Sequence, residues 1–524
     1  MSSPARRPSV LAALAGVLSA AVGFAVAELV AAVVGPGASP LFAAGAGVVD
    51  AVPGPVKDWA VETFGTADKT VLLAGMGVVL AAGAALAGWL ELRRPPAGAV
   101  LLAAVGAVGA VVAATRPGAS LAWALPSVVG VGVAAVLLRA AVGTLRAPTP
   151  ARAPAPGDGA VAGGRLDRRR FLLVTGLATA AGVVALATSR AVTAGTRAVS
   201  AAREALRLPV PATPAPAVPA GADLRVPGLA PYVTPNGDFY RIDTALRVPQ
   251  VDPATWSLRV TGRVDAPFEL TFDELLALPL VEHHVTLTCV SNPVGGDLVG
   301  NASWLGYPVH ELLARAGVQD GADMVLSTSA DGWTASTPLD VLADPDRACL
   351  LAVGMNGEPL PPAHGFPARL VVPGLYGYVS ATKWVTELEV TTFADDVAYW
   401  STRGWSERGP VKLASRIDTP RGGTSVDAGP VTVAGVAWAQ HTGIRGVEVR
   451  VDDGPWEPAT LAGTVGPDTW RQWSYAWDAA GAGAGDHRLS VRATDADGTV
   501  QTSEVAAPAP DGASGWHEVE VRVG

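Results

Sequence analysis

Histidine is missing from the first 282 residues of this 524-residue chain, and cysteine occurs only twice, as Cys289 and Cys349. The first absence excludes a bis-histidine haem from anything built there, because Met76 alone cannot supply an axial pair, so no haem is expected in this chain. The second excludes a disulfide framework. No CxxC or HExxH occurs, which removes the common thiolate-zinc and zinc-hydrolase patterns. Charge is also scarce, at 16% of residues. It is unevenly spread: residues 1–200 carry 16 Lys/Arg against 8 Asp/Glu, whereas 201–524 carry 22 against 39. An acidic second half is a poor nucleic-acid binder, so no nucleic-acid partner is expected.

What the chain has in excess is apolar residues, 49% of the total with a mean hydropathy of +0.33. Four runs concentrate them, Val10 to Val34, Val71 to Leu90, Ala97 to Ala114 and Leu121 to Leu138. Each reaches or approaches the roughly 18 to 20 residues that carry a helix across the hydrocarbon core, which predicts a four-helix transmembrane domain over 1–146. Arg6, Arg7, Arg93, Arg94, Arg139, Arg146 and Arg152 flank one side, and only Lys57, Lys69 and Arg116 the other. The arginine-rich side is expected to be cytoplasmic. Val56, Trp59, Ala60 and Phe64 have the spacing of a short interfacial helix, although an exposed loop fits equally. Glu28, the one acid inside the first run, is a functional candidate by its position or simply reaches water at the outer end.

Residues 147–190 form an Ala/Pro/Gly linker followed by RLDRRRFLL and a fifth apolar run ending near Thr188. Arg168, Arg169, Phe171 and Leu172 resemble the core of a twin-arginine export signal, while a positive-inside anchor is the plainer reading of the same arginines. Either reading delivers the rest of the chain to the outside of a cell membrane. A Pro/Ala-rich stretch within 191–228 reads as an extended tether. Beyond it the pattern turns mixed, with short strands such as Ser257 to Val260 and helical pieces at Phe272 to Leu278 and Val309 to Ala316, an α+β region over 229–412. From 413 to 524 the pattern has period two, in VTVAGVAW, GVEVRV, RLSVRAT and HEVEVRV, with Asp453-Gly454 and Asp497-Gly498 as turns. That predicts an all-β immunoglobulin-like sandwich.

The chemistry centres on HVTLTCVSNPVGGDLVGNASWLGYPV, His284 to Val309, in which Val285, Leu287 and Cys289 alternate as a buried strand ending at a Gly-rich loop. A lone cysteine on an apolar strand is more often core packing than a ligand. That is the reading for Cys349 in RACLLAVGMNG. For Cys289 a second stretch, MNGEPLPPAHGFPARLVVPGLYGYVSATKWVTELEV, overturns it: TLTC, NASWLGYPV, NGEPLPPAHGFPARLVVPGLYG and KW together resemble the sulfite oxidase family of molybdopterin oxidoreductases. The resemblance runs from about Tyr232 to the C-terminus.

The resemblance implies a molybdenum ion held by molybdopterin, with the Cys289 thiolate as its soft protein ligand. It implies that Tyr240, Arg241, Thr328, His364, Arg369 and Lys383 hold the cofactor, the Arg fork and Lys ammonium matching its phosphate. It also implies a C-terminal domain of the dimer-forming type, hence a homodimer, and a small-molecule substrate; because the helices offer no haem site, electrons are expected to go to or come from a separate cytochrome or quinone-linked carrier. Two departures bear on substrate. Where sulfite-oxidising eukaryotic members carry Arg-Asn-His, this chain has Ile242, Asp243 and Thr244, and where they place an active-site tyrosine it offers Trp405. Arg241 or Arg403 can substitute for the missing cation. Sulfite oxidation therefore stands beside reduction of a neutral S-oxide or N-oxide, with Trp400 and Trp405 as apolar walls. A non-catalytic exported binding protein is the alternative from another class.

Overall fold

The computed structural model describes residues 6–35, 38–53, 68–116, 119–146 and 197–524, with 56, 63, 64 and 176 as isolated positions. The twin-arginine-like segment, the fifth apolar run, the 147–164 linker and most of the Val56 to Phe64 segment lie outside the described residues. The chain divides into two units, Met1–Arg197 with Thr244–Arg247, and Ala198–Asp243 with Val248–Gly524.

The first unit holds α1 (Arg6–Val34), α2 (Pro40–Ala51), α3 (Asp68–Arg93), α4 (Ala97–Ala114) and α5 (Leu125–Arg146). Of these, α1, α3, α4 and α5 are long and apolar enough to cross a membrane, α5 together with the turn that precedes it. Glycine lets them meet backbone to backbone: a side chain at Gly16 would strike the Ala84 carbonyl of α3, and one at Gly23 the Gly130 carbonyl of α5. Small residues at such crossings are how apolar helices associate where no hydrophobic gradient separates them from lipid. The short α2 went unread in the sequence. Ser39 precedes it and donates to Glu28 Oε1 at 2.7 Å, so that acid has a protein partner.

The second unit contains two sheets and a sandwich. Strands β1 (Ser257–Gly262), β2 (Phe268–Thr271), β3 (Val281–Thr288), β4 (Val299–Pro308), β5 (Met324–Ser329), β6 (Thr334–Pro338), β7 (Leu350–Met355), β8 (Glu358–Pro359), β9 (Arg369–Val371) and β10 (Val385–Thr391) build the α+β part. One sheet runs β2-β1-β10-β5-β6; the other runs β3-β4-β7-β8, with β9 also on β7. Helices α6 (Phe272–Ala277), closed by a Thr271–Glu274 capping box, and α7 (Val309–Ala316), ended by left-handed Gly317, pack around a core that includes Leu258, Leu275, Leu312 and Leu351. Cys349 is fully buried in this core, as the sequence predicted.

Strands β11 (Ala414–Thr419), β12 (Ser425–Val426), β13 (Pro430–Trp438), β14 (Ile444–Val451), β15 (Glu457–Pro458), β16 (Thr460–Leu461), β17 (Arg471–Asp478), β18 (Gly485–Asp495) and β19 (His517–Val523) form the sandwich. Its sheets are β11-β13-β17-β16 and β12-β19-β18-β14-β15, closed over Val433, Val447, Trp473 and Leu489. The predicted order of all-α, α+β and all-β regions holds.

The tether differs from its expectation. From residue 198 the chain already belongs to the second unit. Residues 197–205 are helical, and the Arg203 guanidinium donates to the carbonyls of Pro359 and Leu360. Ala212 N–H donates to Leu280 O, and Glu282 N–H to Thr213 O, so the stretch runs parallel to the start of β3 and covers its edge. Proline blocks few donors in a segment lying on an edge, which is why a Pro/Ala-rich composition suits this role as well as that of a free linker.

Candidate active site

β3 delivers Cys289 one residue past its end. The sequence suggested one buried face, Val285, Leu287 and Cys289, yet Thr286 and Thr288 are buried too, at 1% and 3% exposure. The second face is covered by turns of the sandwich. Cys289 N–H donates to Leu298 O and Asn292 N–H to Cys289 O, which folds the Gly-rich loop back beside the thiol. The backbone and hydroxyl of Ser291 hydrogen-bond the sulfur. Burial pushes the thiol upward, and Ser291 and the Lys383 charge oppose that rise.

Arg369 and Lys383 are 14 residues apart in sequence but face each other across an antiparallel bridge, with Leu370 N–H on Thr382 O. Gly365, at φ +112°, fits against both: a Cβ there would lie 2.9 Å from that of Arg369 and 3.2 Å from that of Lys383. This is a close approach in a left-handed conformation that favours glycine. Arg369 is 5% exposed and lies over the Trp304 ring at 5.0 Å. Its guanidinium donates to the carbonyls of Leu370 and His364, and no carboxylate pairs with it among the described residues. Burial pulls Arg369 down to about 10. Burial likewise pulls Lys383 down to about 8, against the opposing Asp243.

His364, in the turn Pro362–His364, has Nε2 3.1 Å from Asn236 O. A carbonyl only accepts, so Nε2 carries the proton and Nδ1 is left as an acceptor. Burial and the charges of Arg369, Lys383 and Arg241 push it down to about 4, which keeps it neutral. Tyr240 stacks on Phe239 at 5.3 Å, and its hydroxyl is raised by burial and by the nearby Cys289. Arg241 is exposed and engages Asp243 through Nε at 2.8 Å and Nη2 at 3.2 Å.

The structure thus brings together Cys289, Tyr240, Arg241, His364, Arg369 and Lys383. Thr328 is placed apart: its carbonyl accepts from Thr386 Oγ1, while neighbouring Ser327 bonds Thr382, next to Lys383. Sequence reasoning missed three participants. Asp243, noted only as a departure, is a 6%-exposed carboxylate 2.6 Å from Lys383 Nζ. Ser291 escaped because nothing marks a serine two residues past a thiol. Tyr376, in the quoted motif but unassigned, is raised to about 12 by burial and lies within the field of Cys289. Trp405 packs on Tyr378 at 5.8 Å and on Trp400 at 6.0 Å, an aromatic group beside the same segment.

Two largely buried cations, Arg369 and Lys383, with the exposed Arg241 beside them, face one carboxylate and leave a net positive charge, and a buried charge needs an anionic partner. A thiol, two phosphate-matching cations and a neutral imidazole acceptor fit molybdopterin. The family models and the sequence relatives agree. Residues 245–400 match the oxidoreductase molybdopterin binding domain and 414–491 a bacterial Ig domain. The human mitochondrial sulfite oxidase is 31% identical over 325 residues, covering 52% of this chain and 58% of that protein, so the chain spans less than two thirds of it. The uncharacterized oxidoreductase YuiH of Bacillus subtilis is 37% identical over 159 residues, 30% of this chain and 76% of that one. The sulfane dehydrogenase SoxCD of Paracoccus pantotrophus aligns with a TM-score of 0.49 at 25% identity, over 56% of this chain and 81% of that one. Fold and site define a molybdopterin-binding oxidoreductase fused to an immunoglobulin-like domain. The chain belongs to the sulfite oxidase family of molybdopterin-dependent oxidoreductases.

Proposed function

We propose that this protein is a membrane-anchored enzyme whose catalytic and sandwich domains work outside the cytoplasmic membrane and which transfers an oxygen atom to or from a small substrate. The observation that carries this is Arg369, buried without a carboxylate, beside Lys383 and within one cluster with Cys289. Cys289 would ligate the metal, with Ser291 donating to its sulfur and restraining its orientation. Arg369 and Lys383 would hold the cofactor phosphate, His364 would accept from the pterin through Nδ1, and Tyr240 and Arg241 would border it. When bound, the molybdenum centre supplies two-electron redox chemistry coupled to oxygen-atom transfer. Electrons would pass to or come from a separate cytochrome or quinone-linked carrier, and the sandwich would support a homodimer.

Sulfite oxidation is the first reading, on family grounds. Asp243 favours a second. A carboxylate bonded to both Lys383 and Arg241, in the run where relatives bind an anion, occupies those two cations, and the Tyr378, Trp400 and Trp405 rings offer apolar walls for a neutral S-oxide or N-oxide. The test is metal analysis of the full-length protein in detergent, then sulfite oxidation and methionine sulfoxide reduction side by side. Stoichiometric molybdenum with one activity selects the substrate direction. Its absence after expression in a cofactor-competent host selects the non-catalytic binding protein.

A further inference from the structure

The strand that leads into Cys289 is an edge strand: among the described strands β3 pairs with β4 alone in its sheet. An edge offers unpaired N–H and C=O groups, and here those nearest the thiol are met by the sandwich. Thr286 N–H donates to Asp468 O at 2.9 Å. Thr286 Oγ1 accepts from Trp470 N–H at 2.8 Å and donates to Asn301 Oδ1 at 3.1 Å. Gln440, in the turn between β13 and β14, places Nε2 3.1 Å from Thr286 O and 3.1 Å from Thr288 Oγ1. Both protons of that amide go to the two residues that lead into Cys289.

Two features set Gln440 apart from ordinary packing. It is 6% exposed, and its Oε1 is buried without a hydrogen-bond partner among the described residues. Turning the amide over would not help, because Thr286 O can only accept. A buried unsatisfied oxygen is costly and calls for a compensating role. The turn is also wedged from the other side: the Gln440 carbonyl lies 3.3 Å from where a Cβ of Gly374 would be, two residues before Tyr376. Gln440 therefore stands between two segments that border the thiol.

We propose that Gln440 is a positioning residue for Cys289: through Thr286 and Thr288 it fixes where β3 delivers the sulfur, so the sandwich domain tunes the metal site of its neighbour. A second contact from the same domain supports the Gly-rich loop, where Arg416 Nη1 donates to Gly296 O at 2.7 Å. The inference rests on the reading of Cys289 as the metal ligand.

The test uses the full-length, molybdenum-loaded protein and reads the thiolate-to-molybdenum charge-transfer absorption, whose energy and intensity depend on how the sulfur is oriented. Gln440→Leu is expected to keep its molybdenum, shift that band and lower kcat about tenfold at unchanged KM, in the range of lost outer contacts to a metal ligand. A Gln440→Leu spectrum identical to that of the parent overturns the proposal. If Gln440→Leu does not fold, Thr288→Val, which deletes one of the two acceptors, decides by the same spectral criterion. Cys289→Ser separates the two claims: loss of the band upholds the ligand, whereas its survival overturns the ligand assignment and the positioning role together.

Discussion

The two cysteines occupy contrasting regions of one unit. Cys349 is enclosed by the core around Leu312 and Leu351, with its sulfur on the Val341 carbonyl, and burial lifts its thiol to about 12. Cys289 is almost as buried, yet its sulfur meets Ser291 donors, the Lys383 charge and Tyr240. Burial therefore does not distinguish a ligand from a packing residue. The distinction lies in the neighbours: the Ser291 hydrogen bonds together with the Lys383 charge in one case, apolar walls, a carbonyl and the Arg347 charge without such hydrogen bonds in the other.

The contrast can be broken most directly at the sulfur. Cys289→Ser should lower turnover by on the order of 10³-fold or more, with a melting temperature close to that of the parent. Turnover near the parental rate would end the assignment. Next comes the phosphate anchor. Arg369→Met should weaken cofactor retention about 100-fold, the worth of charge-assisted hydrogen bonds. It should at the same time stabilise the cofactor-free protein, since it removes a buried cation that has no carboxylate. Equilibrium dialysis and thermal melts read the two effects, and their opposite signs are the diagnostic.

A third effect is set by pH. Lys383, at about 8 in the folded protein, is neutral above that point while the unfolded chain still binds its proton up to its ordinary range near 10.5. Cofactor-free stability should then rise with pH between about 8 and 10.5, because the unfolded state holds more protons there. Cofactor retention should fall over the same window as the ammonium is lost. Cys349→Ala should cost about 1–2 kcal/mol of stability by opening a small cavity and leave kcat unchanged, the mirror of the first variant. The smallest effect is expected at His487, whose pKa is raised by its hydrogen bond to Asp452. That contribution is present below its unfolded value and is lost as pH rises through the folded one, so Asp452→Asn should flatten a shallow decline in sandwich stability as pH rises above the ordinary histidine value of 6.5.

Cys289, His364, Arg369 and Lys383 were legible because their motif blocks are continuous in sequence and the bridge between β9 and Lys383 brings the last two face to face. Asp243, Ser291 and Gln440 were not. Asp243 matters through a lysine 140 residues away, and Gln440 through a strand more than 150 residues earlier. No local spacing encodes either partner. The fold showed the same division: periodicity found α1, α3, α4, α5 and the sandwich strands, whereas the edge-covering role of residues 209–215 depends on where β3 lies in space.

That edge has a practical consequence for anyone expressing the second unit without the first. Composition alone recommends starting at Gly228, after the last proline of the stretch. A protein begun there would leave Leu280 O and Glu282 N–H bare on the strand that ends in the thiol, an invitation to self-association through β-pairing. Begun at Ala198, it would retain the helical turn, the Arg203 contacts and the cover over β3, so residues 198–227 are better counted as part of the catalytic body than as the leash that holds it.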